Sequence, residues 1–136
     1  MLGNKLGELV GKISSQRVLD VTGNQKIEFN VSTSGTFRNI AVTELHTYVS
    51  VIGFDGIPYG QSNGIVMVKN GSESANFTGH AVGYNAGNGK MRYTGSIFFK
   101  ASSLNGTLSF LNNVLAVFEN DIDESNNSTI RLWEWR

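Results

Sequence analysis

Cysteine is absent from this 136-residue chain, which excludes disulfides, thiolate nucleophiles and cysteine-ligated zinc or iron–sulfur centres together. Proline occurs once, at Pro58, so long extended segments run without a backbone that cannot donate to a sheet. Histidine occurs twice, at His46 and His80, too few for a metal centre built mainly of imidazoles. No sign of charge is in excess, with 11 Lys and Arg against 11 Asp and Glu. No basic run is present that would follow a row of phosphates, so neither nucleic acid nor an anionic membrane is expected as a partner. No segment approaches the roughly 20 apolar residues of a spanning helix. The stretch from Met1 to Gln16 is interrupted by Lys5, Glu8 and Lys12, unlike a signal peptide. These absences predict a soluble, cytoplasmic protein, and the length predicts one domain over residues 1–136.

What is present is alternation with period two, punctuated by 16 glycines and many asparagines. Asn70-Gly71, Asn88-Gly89 and Asn105-Gly106 are the pairs that two-residue hairpin turns need, and Ser34-Gly35 and Asp55-Gly56 are weaker versions. With further turns at Thr22–Asn24 and Glu124–Asn127, strands are predicted near 9–21, 25–34, 39–53, 58–69, 73–85, 90–101, 107–122 and 128–135. Within the seventh, Leu111–Asn113 fits a short helical turn, leaving strand beyond Val114. The stretch Gly53–Gly64, with Pro58 and Gly60, fits an irregular loop or lid as well as a strand. Strands this long leave two open edges unless the first meets the last. The predicted fold is therefore all-β: an antiparallel up-and-down barrel of about eight strands joined by short hairpin turns. Gly79, Gly83 and Gly95 fit it as places where a strand bends or a bulky neighbour needs room.

Residues for chemistry are sparse. No dinucleotide or phosphate-loop glycine pattern survives inspection: Arg92 stands where the former needs Gly or Ala, and Gly89-Lys90 is followed by Met91. No Gly-X-Ser-X-Gly elbow exists. Glu44, Glu119 and Glu134 are the candidate catalytic residues, because each lies within an otherwise apolar or aromatic strand. A carboxylate turned into a lumen is poised to move a proton. Between Ala41 and Ile52, Glu44, His46, Tyr48 and Ser50 share a face opposite Leu45, Val49 and Val51. His80 falls on a face with Asn76 and Tyr84. At the C-terminus, Trp133 and Trp135 form an apolar strip opposite Glu134. That strip could line a ligand cavity, plug the barrel or cover a subunit interface, with plugging the default. His46, Tyr48, His80, Tyr93, Trp133 and Trp135 are thus the candidate ligand-binding residues, and no metal or cofactor is expected.

The segment Gly87-Asn88-Gly89-Lys90-Met91-Arg92-Tyr93-Thr94-Gly95-Ser96-Ile97-Phe98-Phe99, the run Leu111–Glu119 and the Trp-Glu-Trp end carry a resemblance. They look like a group of small uncharacterised barrel proteins and, more distantly, are similar to the lipocalin-like barrels of allene oxide cyclases and dirigent proteins. The resemblance covers the last third of the chain, and no catalytic residue transfers position by position. It implies an eight-stranded barrel, often trimeric, whose lumen holds an apolar small molecule and can steer its cyclisation or coupling. Three functions stay open: a lumen that binds an apolar small molecule in a homo-oligomer, a cyclase- or isomerase-like enzyme, and a structural subunit whose lumen is packed solid.

Overall fold

In the computed structural model, which describes Met1–Arg136, eight antiparallel strands close into an up-and-down barrel. They are β1 (Leu2–Asp20), β2 (Gln25–Phe37), β3 (Ile40–Ile52), β4 (Pro58–Val68), β5 (Ser74–Gly87), β6 (Lys90–Ala101), β7 (Leu115–Ile122) and β8 (Asn127–Trp135). Closure is made by β1 against β8, from Leu2 opposite Trp135 to Lys12 opposite Asn127. There is no α-helix, so no helix is long and apolar enough to cross a membrane.

Most predicted strands appear with their bounds moved by at most three residues, and three expectations are corrected. β1 starts at Leu2 rather than residue 9 and holds on to β8 through register shifts at Lys5 and Gly7. Ser34-Gly35 is not a turn but lies inside β2, and the reversal falls on Arg38 and Asn39, both at positive φ. The reason is local: without a Cβ, Gly35 lets the Glu8 carbonyl come close across the sheet, and the strand continues. Of the two readings of Gly53–Gly64, the strand expected from residue 58 holds, because Pro58 opens β4 opposite Ile52, where its missing N–H interrupts nothing. Only residues 53–57 form a loop there. Asn105-Gly106 does not close a hairpin either, since it lies in the long connection between β6 and β7.

That connection gives the barrel its bottom. It carries a 3₁₀ turn at Ser109–Leu111, two residues earlier than the helical turn expected at Leu111–Asn113. Glu73 anchors the connection by accepting hydrogen bonds from the Thr107 and Leu108 N–H groups. Leu108 and Leu111 are thereby driven into the barrel end, onto Phe37, Phe99, Leu6 and Val42. The sequence assigned plugging to Trp133 and Trp135 by default, whereas these leucines and phenylalanines do it. At the opposite end the connections are short: 21–24, 53–57, 88–89 and 123–126. Asn88 and Gly89 take the positive φ expected of them, so that turn is tight and the end stays open.

The inner wall needs room at its glycines. A Cβ on Gly83 would press on the Tyr93 ring and on Pro58, and one on Gly95 would overlap the His80 carbonyl oxygen. These are the bends and close approaches the sequence anticipated.

Candidate functional site

Core side chains occupy the closed half of the barrel, and above them lies a cavity of about 240 Å³. Its floor is formed by Phe37, Phe99 and Val66, and its mouth by Gly89, Met91, Ile122, Asp123, Glu124 and Asn126. Seventeen of its 25 lining residues are hydrophobic, so the space is one that an apolar body would dry. The lumen is therefore not packed solid.

Which strand faces look inward decides what that body would meet. On β3 the inward residues are Val42, Glu44, His46, Tyr48 and Ser50, while Leu45 is 50% exposed on the outer wall. The more polar face thus lines the lumen, opposite to what hydrophobicity alone favours. It is tolerated because its polar groups find partners inside. Glu44, 2% exposed, accepts a hydrogen bond from Thr33 Oγ1 at 2.7 Å, and its other oxygen lies 2.6 Å from His46 Nδ1. An ionised carboxylate only accepts, so Nδ1 carries a proton, and in the neutral ring Nε2 is then the free acceptor. No protein atom bonds Nε2, and no buried side-chain polar atom in the molecule lacks a partner, so Nε2 opens onto space. The ring is steadied by Phe77, 6.2 Å away between centroids. Phe77 in turn occupies the room that a side chain on Gly64 would take.

Two tyrosines form another part of the wall. Tyr48 and Tyr93 meet edge to face at 5.4 Å, and the Tyr48 hydroxyl donates to the Ala81 carbonyl at 3.2 Å. Burial disfavours the phenolate of both, pushing both above the ordinary value of 10, and for Tyr48 the neighbouring Tyr93 adds to the effect. Because the folded state holds these protons more tightly than the unfolded chain, their stabilisation is complete below pH 10 and is lost as pH rises through the folded-state values. Melting temperature is therefore expected to fall on the alkaline side above pH 10, and Tyr93→Phe to flatten that fall. An unchanged alkaline slope in Tyr93→Phe would show that Tyr93 is not the buried group described.

Of the residues singled out in the sequence, the structure brings Glu44, His46, Tyr48 and Tyr93 together around the cavity. The others do not reach it. Glu119 is on the outer wall, 3.5 Å from Arg131 and 3.8 Å from Arg92. The same two arginines flank Asp121, and the Arg92 hydrogen bond holds its carboxyl below the ordinary range. Glu134 does turn inward, but at the closed end, where Arg136 and Arg38 bind it at 3.0 and 3.5 Å. That inverts the expectation for β8: with Leu132 and Glu134 inside, Trp133 and Trp135 face out by alternation. His80 is exposed on the outer face of β5, whose inward residues are Phe77, Gly79 and Ala81, so the two histidines cannot converge. No group of three or more metal-ligating side chains is found.

Thr33 and Phe77 are parts of the site that the sequence did not mark. Thr33 sits among Ser32, Ser34 and Thr36, where polarity does not alternate. Phe77 would have shown itself only through its cross-strand partner, Gly64.

No family model matches the chain, and no curated protein does either. Solved structures match it over nearly its whole length. A β-barrel-like protein from Acinetobacter baumannii superposes with a TM-score of 0.80 at 10% identity, covering 100% of this chain and 96% of that one. A conserved protein of unknown function from Rhodopseudomonas palustris gives 0.78 at 7% identity, over 98% and 97%. A protein of unknown function from Clostridium acetobutylicum gives 0.74 at 11%, over 96% of each. The chain thus has the fold of small uncharacterised β-barrel proteins. At such identities the likeness speaks for the fold alone.

Proposed function

We propose that this protein is a small-molecule-binding barrel whose lumen holds a compact, largely apolar ligand. The observation that carries the reading is the cavity of about 240 Å³, apolar on its walls, closed at one end and open at the other. Its volume lies just below the roughly 300–1,000 Å³ usual for small-molecule pockets, which favours a ring-sized body over a long chain. The Glu44–His46 pair supplies one oriented polar contact in an otherwise dry space, the composition that selects a ligand's orientation.

The test is native mass spectrometry of protein purified gently from its own host. A reproducible added mass that leaves on denaturation supports the reading and identifies the ligand. Filling the lumen should abolish it: Ala81→Phe, at a buried cavity-wall position, is expected to lose the added mass while keeping the barrel's circular-dichroism spectrum. Retention of the ligand by a folded Ala81→Phe protein would place binding elsewhere.

A cyclase- or isomerase-like activity, in the manner of allene oxide cyclases, is the second reading. It is favoured by the same pair, since a fixed imidazole acceptor backed by a carboxylate can take a proton from a bound substrate. Conversion of the identified ligand on incubation, lost in His46→Gln, would distinguish it from simple binding.

A further inference from the structure

We propose that the ligand is an organic cation, a protonated amine on a compact apolar body, whose N–H donates to His46 Nε2. The inference rests on the lumen-binding reading and adds the sign of the ligand's charge. Three observations carry it.

The first is the charge of the lining. Three carboxylates, Glu44, Asp123 and Glu124, contribute to the cavity, and no lysine or arginine does. Lys90 is close enough to Asp123 to lower the pKa of that carboxyl, but it belongs to the rim and does not line the cavity. An anion entering from the mouth would pass Asp123 and Glu124 and then approach Glu44 in a space of low dielectric, where like charges repel most strongly. A cation meets the reverse.

The second is the unfilled acceptor. The His46 side chain is nine-tenths buried, yet its Nε2 has no protein partner. With the ring neutral and Nδ1 donating to Glu44, that nitrogen accepts, so it selects a group that brings its own proton: an ammonium or a hydroxyl, but not a carboxylate. Burial of an ammonium is costly without an opposite charge. Glu44 provides one directly behind the imidazole, and each of its oxygens already holds a partner, Thr33 or His46. The carboxylate's charge is therefore felt through the ring rather than by direct contact.

The third is the aromatic wall. Seven of the lining residues are phenylalanine or tyrosine, including Phe77 beside His46 and the Tyr48–Tyr93 pair. Ring faces attract a desolvated cation and pack equally well on an apolar body.

The experiment uses three probes of matched shape and different charge: phenethylamine, phenethyl alcohol and phenylacetate. Each is titrated calorimetrically into the full-length protein at neutral pH. The amine is expected to bind about tenfold or more tighter than the alcohol, and phenylacetate most weakly. In Glu44→Gln the alcohol should bind as before while the amine's advantage disappears. The N-trimethylated amine, which keeps the charge but has no N–H to donate to Nε2, should lose that advantage in the wild type, a readout that stands even if Glu44→Gln does not fold. An amine that binds no better than the alcohol in the wild type overturns the inference and leaves the lumen reading intact, as does an advantage that survives in a folded Glu44→Gln protein. If none of the three binds, the lumen reading falls and the inference falls with it.

Discussion

Replacing Phe99 with alanine is expected to lower the stability of the barrel by about 3–5 kcal/mol, the usual cost of truncating a buried phenylalanine. Phe99 is 1% exposed and is the ring that joins the two halves of the interior. It meets Phe37 edge to face at 5.9 Å and Phe77 at 5.7 Å, where the cavity floor rests on the plugging leucines. Neighbouring strands cannot move in to fill the space, because a closed ladder fixes their distance. The truncation should therefore extend the existing cavity downward rather than let the core collapse. Phe98→Ala is the internal control: one residue away, its ring is on the outer wall and 42% exposed. Away from buried features such a change costs within about 0.5 kcal/mol. Urea denaturation of the two variants decides the matter, and equal losses would mean that the register of β6 is not as described.

The second large effect concerns the polar pair in the lumen. Glu44→Ala removes the partner of both Thr33 and His46, at about 1–3 kcal/mol for each buried group left without one. Replacing the whole cluster at once, Thr33→Val with Glu44→Met and His46→Leu, should behave differently. It removes the desolvated charge together with the groups that needed it, and exchanges of this kind range from neutral to stabilising by about 1–4 kcal/mol. The triple variant is thus expected to be at least as stable as the wild type, although Glu44→Ala alone is not. That pattern would mean the barrel keeps Glu44 and His46 for what they bind rather than for folding. A triple variant as unstable as Glu44→Ala would assign the pair a structural role, and the proposed ligand contact would lose its main support.

The site was only partly legible in the sequence, and β3 shows why. Glu44, His46 and Tyr48 were placed on one face by simple alternation, and they do act together. Alternation gives the membership of a face but not which way it looks. On β3 and β8 polarity pointed the wrong way, for opposite reasons. The inner face of β3 is polar because its groups bond one another, and the outer face of β8 carries two tryptophans although Glu134 is inside. Glu134 can turn inward only because Arg38, from the turn between β2 and β3, and Arg136 reach it at the closed end. Arg38 is 96 residues away along the chain, beyond any local pattern.

By itself, the sequence determined the all-β class, the near-complete set of strands, the tight turn at Asn88-Gly89 and the short helical turn before β7. Each follows from local chemistry: side-chain alternation, positive φ at Asn and Gly, and the single proline at a strand start. The tertiary structure alone decided which faces enclose the lumen, that leucines rather than tryptophans close it, and that one carboxylate of the three candidates stands at the cavity beside a histidine. The physical reason is that a barrel's interior is set by register around a closed ring, and a shift of one residue in any strand exchanges its inside for its outside.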